Sequence, residues 1–91
     1  MPELNQEILR KRLIEIYEEY IKSKASPASI IKIKEVVKEY DEIRELLDET
    51  LNMAIGILEA LSKNEIKDEK EEDQLIKIII KELNEKNYLL S

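Results

Sequence analysis

Apolar residues in the first part of the chain recur every three or four positions. They are Leu9, Leu13, Ile16 and Tyr20, with Ile14, Tyr17 and Ile21 widening the stripe. Such spacing gives an α-helix one apolar face, so we predict a helix over about residues 3–23. Ser26-Pro27 follows, and proline suits only the first turn of a helix. We therefore predict a break before Pro27, with Ser26 as the N-cap of the next helix.

The stretch from Ile30 to Leu61 has the most regular pattern in the chain. Alternating steps of three and four residues reach ten positions, nine of them apolar: Ile30, Ile33, Val37, Tyr40, Arg44, Leu47, Leu51, Ala54, Leu58 and Leu61. A repeat of 3.5 residues lets two helices keep one seam in contact. We therefore predict one continuous central helix over about residues 27–62, which would be about 54 Å long at 1.5 Å per residue.

A second row of residues lies beside this seam. It consists of Val36, Ile43, Thr50 and Ile57. A two-stranded coiled coil needs only a narrow seam, so the broader face indicates a helical bundle. In the alternative, the helix breaks at Tyr40-Asp41, Asp41 caps a separate third helix, and the chain forms an up-and-down four-helix monomer.

The C-terminal part begins with a charged linker over residues 63–68. Asn64 suits the end of the preceding helix, and Asp68 with Glu71 resembles a capping box for the next one. We predict that this last helix covers about residues 69–86 and is apolar on most sides. The tail over residues 87–91 carries Tyr88, Leu89 and Leu90, which we expect to dock on another surface.

Composition narrows the function classes. The chain has 91 residues, enough for a single domain, and its 15 basic and 21 acidic residues give a net charge of −6. It has no cysteine and no histidine, which excludes disulfides, zinc fingers and catalytic triads based on either residue. The abundance of Lys, Glu and Ile is typical of thermophile proteins.

Charge and hydropathy also bear on location and partners. No run approaches the roughly 18 apolar residues of a membrane helix, and the first residues show no signal-peptide pattern. We therefore expect a cytoplasmic protein with no membrane partner. The groups Arg10-Lys11-Arg12 and Lys32/Lys34/Lys38 are offset by neighbouring glutamates, which indicates ordinary surface charges. The acidic balance argues against nucleic acid as a partner.

Two acidic pairs carry the candidate catalytic chemistry. Glu15-x-x-Glu18 and Glu45-x-x-Asp48 each place two carboxylates one helical turn apart, a spacing that can hold Mg²⁺. The arrangement resembles the all-α nucleotide pyrophosphohydrolases, four-helix proteins that use such carboxylates on magnesium. The resemblance implies these four residues as ligands. The glutamates, however, lie opposite the apolar stripes, so we expect them to face water.

Polar groups on the apolar faces need partners. Arg44 is the only charge on the seam. We expect either that a carboxylate such as Asp41, Asp48 or one from a partner helix meets it, or that its guanidinium reaches water. We predict that Tyr17, Tyr20 and Tyr40 are core or interface residues whose hydroxyls are hydrogen-bonded.

Together these patterns predict an all-α helical bundle, with a long central helix between two shorter ones, that forms a homodimer. We predict a non-enzymatic assembly or accessory subunit that binds a further, unidentified protein and carries neither cofactor nor metal. The predicted interface residues are Ile30, Ile33, Val37, Tyr40, Arg44, Leu47, Leu51, Leu58, Tyr88, Leu89 and Leu90. The alternative function is a magnesium-dependent enzyme similar to the nucleotide pyrophosphohydrolases.

Overall fold

Four α-helices joined by short segments form the computed structural model, which describes residues 5–24 and 26–90, with side chains up to residue 85. The helices are α1 (Gln6–Lys22), α2 (Pro27–Asp41), α3 (Glu49–Ser62) and α4 (Glu69–Leu90). A short 3₁₀ helix, Arg44–Leu46, lies between α2 and α3. The described residues contain no β-strand. The predicted all-α helical bundle is confirmed.

Side-chain caps define the starts of the first two helices. The Oδ1 atom of Asn5 accepts a hydrogen bond from the Ile8 N–H group at 3.1 Å, which begins α1. The Ser26 hydroxyl accepts one from the Ser29 N–H group at 3.3 Å, with Pro27 in the first turn of α2. The predicted break at Ser26-Pro27 is confirmed.

The predicted continuous helix over residues 27–62 is wrong. α2 ends at Asp41, and the chain turns back through residues 42–48 before α3 begins at Glu49. A helix of about 54 Å would exceed the longest dimension of the structure, 36 Å. The break lies where the four-helix alternative placed it, but the N-cap of α3 is Asp48 and not Asp41. The 3.5-residue repeat indicates the apolar face of each helix, whereas the Asp48 cap marks where α3 begins.

Side-chain contacts fix the direction of α2 relative to α1. Arg12 of α1 donates a hydrogen bond to the Tyr40 hydroxyl near the end of α2, at 2.7 Å. Lys32, near the start of α2, pairs with Glu19 near the end of α1, at 2.9 Å. The two helices are therefore antiparallel.

The other two helices complete an up-and-down order. The turn over residues 42–48 reverses the chain again. It brings α3 against α1, where the Tyr17 hydroxyl of α1 donates a hydrogen bond to the Ala54 carbonyl oxygen of α3. The Tyr20 hydroxyl, one turn later, donates to Glu72 near the start of α4 at 2.9 Å. The start of α4 therefore lies beside the end of α1. With Arg12 on Tyr40, all three predicted tyrosine hydroxyls have hydrogen-bond partners.

All four helices contribute to the core. Its buried apolar residues are Leu13, Ile14, Ile16, Tyr17, Tyr20, Ile33, Val36, Tyr40, Leu47, Leu51, Ala54, Ile55, Leu58, Leu61, Ile76, Ile79 and Leu83. Val36 and Thr50 of the second row are buried, and Ile43 and Ile57 are partly buried against this core. The broad apolar face of the central region thus packs against several helices, as a bundle requires.

α4 extends further than the pattern indicated. It ends at Leu90 and not near residue 86, so residues 87–90 continue the helix. The side chains of Tyr88, Leu89 and Leu90 lie outside the described part, and their docking stays a prediction. Within the described residues, neither α4 nor any other helix has both the length and the apolar character needed to cross a membrane.

Candidate functional site

Most of the predicted interface residues are buried or partly buried inside one chain. Those in the core are Ile33, Tyr40, Leu47, Leu51 and Leu58. Ile30 and Val37 are partly buried against them. The homodimer was inferred from one continuous seam between two copies, and that argument no longer holds, because α2 and α3 bury their apolar faces in a shared intramolecular core. Self-association through another surface stays a prediction.

The four candidate magnesium ligands do not converge. Glu15 and Glu18 are exposed on α1, and Glu45 is exposed in the 3₁₀ helix, as their helical positions indicated. Asp48 instead caps α3 and pairs with Arg10. Among the residues that the structure describes, no group of three or more acidic side chains is placed to hold a metal ion.

Asp48 joins the start of α3 to α1. Its Oδ1 atom accepts a hydrogen bond from the Leu51 N–H group at 2.9 Å and caps the helix. Its Oδ2 atom lies 2.7 Å from Nη1 of Arg10. The Asp48 N–H group donates to the Gln6 side-chain oxygen at 3.0 Å. These contacts give Asp48 a structural role in the turn between α2 and α3.

Arg44 lies in that turn and not on a helical seam. Its Nε donates to the Asn52 side-chain oxygen at 3.2 Å, and Nη2 donates to the Asn52 carbonyl oxygen at 3.3 Å. Nη1 lies 3.9 Å from Asp41 and 3.8 Å from Glu59. Of the carboxylates that the sequence suggested, Asp41 thus lies within 4.0 Å of Arg44, and Glu59 is a second partner that the sequence pattern did not identify.

The outer surface between α2 and α3 forms a groove of about 380 Å³. We call it the α2–α3 groove, and it is lined by Lys34, Val37, Lys38, Asp41, Glu59, Ser62 and Lys63. Val37 supplies an apolar surface between the two lysines of α2, and the aliphatic stems of the lysines add to it. The groove thus combines an apolar lining with a charged rim.

The charges at the groove do not balance. Three cations, Lys34, Lys38 and Lys63, line it together with two anions, Asp41 and Glu59. Arg44, outside the lining, lies within 4.0 Å of both carboxylates. This local excess of positive charge stands on a chain whose net charge is −6. The groove therefore differs in sign from the protein as a whole.

Two of these charges form a close pair. The ammonium of Lys63, the C-cap residue of α3, lies 2.8 Å from the carboxylate of Glu59, four residues earlier. Their hydrogen bond lowers the pKa of Glu59 and raises the pKa of Lys63, so that both charged forms are favoured. Glu59 is thus shared between Lys63 and Arg44.

Sequence reasoning treated Lys34 and Lys38 as ordinary surface charges. Glutamates do neighbour them in sequence, but within the described residues neither ammonium lies within 4.0 Å of a carboxylate. Their spacing was the signal that could have revealed a shared surface. Residues four apart lie on the same face of a helix, and Lys34 and Lys38 flank Val37. What could not be foreseen was the approach of α3, which depends on the reversal over residues 42–48.

Comparison of the chain with protein families, with curated proteins and with solved structures gives no match.

Proposed function

We propose that this chain is a protein-interaction module, a small helical bundle that binds another protein as an accessory or assembly subunit. The observation that carries this proposal is the α2–α3 groove, which joins an apolar lining to a rim of charge opposite to that of the whole chain. Protein-binding surfaces commonly combine an apolar centre with a polar rim.

The neighbouring surface of α2 supports the proposal. Ile31 is 58% exposed, and it lies three and seven residues before Lys34 and Lys38, on the same helical face. An exposed isoleucine beside a groove contributes nothing to the core of this chain, but it adds apolar area that a partner could cover. The cytoplasm stays the predicted location.

The proposal is tested by affinity capture from native extract with a variant that fills the groove. Ser62→Trp places a bulky neutral side chain in the groove lining, whereas Glu15→Trp places the same side chain on the exposed surface of α1. Circular dichroism first establishes that both variants fold. We expect the unmodified chain and Glu15→Trp to retain the same protein, and Ser62→Trp to lose it.

Two results would count against the proposal. Capture of no protein at all by the unmodified chain would remove its basis. Equal capture by the unmodified chain and both folded variants would show that binding uses another surface.

A further inference from the structure

The α2–α3 groove has a charge pattern that specifies more than binding in general. We propose that it binds an acidic amphipathic segment of a partner protein, whose carboxylates meet Lys34 and Lys38 and whose apolar side chain covers Val37. This inference rests on the proposed function and adds the chemistry of the partner.

The first step of the argument concerns which charges remain available. Glu59 is held by Lys63 at 2.8 Å, and Arg44 lies within 4.0 Å of both Asp41 and Glu59. The two anions of the groove are therefore already engaged. Lys34 and Lys38 have no carboxylate within 4.0 Å in the described part of the chain, so they carry the excess positive charge.

The second step concerns their spacing. Lys34 and Lys38 lie four residues apart on α2, and like charges at this separation slightly destabilise a helix. Two carboxylates about one turn apart on a bound helix would face both ammonium groups together and relieve this repulsion. A segment with Asp or Glu at a spacing of three or four residues matches the pair.

The third step concerns the apolar surface. Val37 is only partly buried and lies between the two lysines, and Ile31 is exposed one turn before Lys34. A small inorganic anion would pair with the two ammonium groups but leave this apolar surface exposed to solvent. A peptide with an apolar residue beside its carboxylates would use both, because burial of apolar area adds free energy that exposed ion pairs supply only weakly.

Features of the groove argue against nucleic acid as the occupant. Among the side chains that the structure describes, the lining residues include no aromatic ring on which a base could stack, and a phosphate backbone would leave the apolar surface of Val37 uncovered. A second copy of this chain is another source of carboxylates, since five of the six residues 68–73 are acidic. The experiment below separates these occupants from a foreign peptide.

The test is a selection of helical peptides from a displayed random library on the full-length chain. We expect the enriched peptides to carry Asp or Glu pairs three or four residues apart, next to Leu, Ile or Val. Absence of enrichment, or enrichment of neutral or basic sequences, would overturn the proposal. Stronger binding of single-stranded DNA than of the selected peptides would also overturn it. Displacement of the peptides by added unlabelled chain would show that the groove mediates self-association instead, and would overturn it too.

Charge reversal then locates the binding. We expect Lys34→Glu with Lys38→Glu to weaken the selected peptides about tenfold or more, since two attractions become repulsions. Lys22→Glu with Lys81→Glu changes the net charge equally on exposed residues of α1 and α4 and should leave affinity within about twofold. Peptides with Lys in place of their Asp and Glu should recover binding to the reversed groove.

Equal losses in the two double variants, or no recovery by the lysine peptides, would contradict the inference. If Ser62→Trp abolishes capture of the natural partner while the reversal of Lys34 and Lys38 does not, the proposed function stands and the acidic partner is wrong.

Discussion

The Arg10 guanidinium is almost fully buried, whereas the Asp48 carboxylate that it meets at 2.7 Å is about one-third exposed, with side-chain exposures of 1% and 36%. The same carboxylate caps α3 through the Leu51 N–H group at 2.9 Å. The Asp48 side chain thus lies at the end of the turn, pairs with a buried cation of α1 and caps the N-terminus of α3.

Two substitutions of Asp48 should separate these contributions. Asp48→Asn keeps a side chain that caps helices well but removes the charge that faces Arg10, and we expect a loss of about 1–2 kcal/mol in the free energy of unfolding. Asp48→Ala also removes the cap, and we expect about 2–3 kcal/mol. These values allow for the solvent exposure of the carboxylate.

Urea denaturation followed by circular dichroism measures both losses. Asp41→Asn is the control, because its carboxylate is exposed and lies 3.9 Å from its partner, Arg44; it should change stability by less than about 0.5 kcal/mol. Equal losses for Asp48→Asn and Asp48→Ala would mean that capping contributes nothing here.

Asn52 should hold the turn between α2 and α3 from the other side. Its side-chain Nδ2 lies 2.9, 3.1 and 3.3 Å from the carbonyl oxygens of Arg44, Leu47 and Asp48. Asn52→Ala leaves these carbonyls to other partners, so we expect a loss of about 1–2 kcal/mol.

Hydrogen exchange checks where that loss arises. Amide protection should fall first over residues 42–52 in Asn52→Ala, whereas Asn84→Ala, at an exposed position of α4, should leave exchange unchanged. Protection that falls uniformly along the chain would argue against a local role for Asn52.

The adjacent residues Leu46 and Leu47 should respond in opposite ways. Leu46 is 63% exposed, and Leu47 is 7% exposed and belongs to the core. We expect Leu47→Ala to lower the free energy of unfolding by about 2–3 kcal/mol and Leu46→Ala to change it by less than about 0.5 kcal/mol. Urea denaturation of the two variants provides the comparison. A larger loss of stability in Leu46→Ala than in Leu47→Ala would contradict the burial of Leu47.

Stability should fall in alkaline solution because of the buried tyrosines. Burial raises the pKa of Tyr17 and Tyr40, and burial together with the hydrogen bond to Glu72 raises the pKa of Tyr20 to about 12. A pKa that is higher in the folded state means that folding favours the neutral phenol. The resulting stability is complete below pH 10, the ordinary pKa, and is lost as the pH rises through the folded value.

Urea denaturation between about pH 9 and pH 12 tests this sign. We expect the free energy of unfolding to decrease across the range, and less steeply in Tyr20→Phe, which differs from the unmodified chain only in this hydroxyl. Stability that is constant with pH, or that falls with the same slope in Tyr20→Phe, would contradict the assigned pKa direction.

Much of the fold follows from the sequence because each helix carries its own local signals. The three- and four-residue spacing identified the apolar faces, and Ser26-Pro27 identified the start of α2. Asn64, expected at the end of a helix, follows α3 with a positive φ of 54°. These signals act within one or two helical turns, so they can be recognised without the tertiary structure.

The reversal over residues 42–48 could not be obtained in the same way. The three- and four-residue spacing continues through Tyr40, Leu47 and Leu51. The helix, however, ends at Asp41. The difference comes from Asp48 and Asn52, whose polar side chains satisfy backbone groups of the turn. Because Asp48 also pairs with Arg10, 38 residues away, its preference for the turn depends on a contact that no local pattern reveals.

The groove was missed for the same reason. Lys34 and Lys38 belong to α2, Glu59 belongs to α3 and Lys63 caps its end, so the groove exists only where the two helices lie side by side. The charges of each helix alone indicate an ordinary solvated surface. Their juxtaposition is a consequence of the turn.

The distance between α2 and α3 within one chain tests this account most directly. Lys34→Cys with Lys63→Cys introduces two unique labelling sites, because the chain has no cysteine. Pulsed electron paramagnetic resonance on spin-labelled protein, diluted with excess unlabelled chain, then measures the distance within one molecule. Helices packed about 10 Å apart predict a label distance below about 25 Å, whereas about 44 Å, the value for an unbroken helix, would contradict both the turn and the groove.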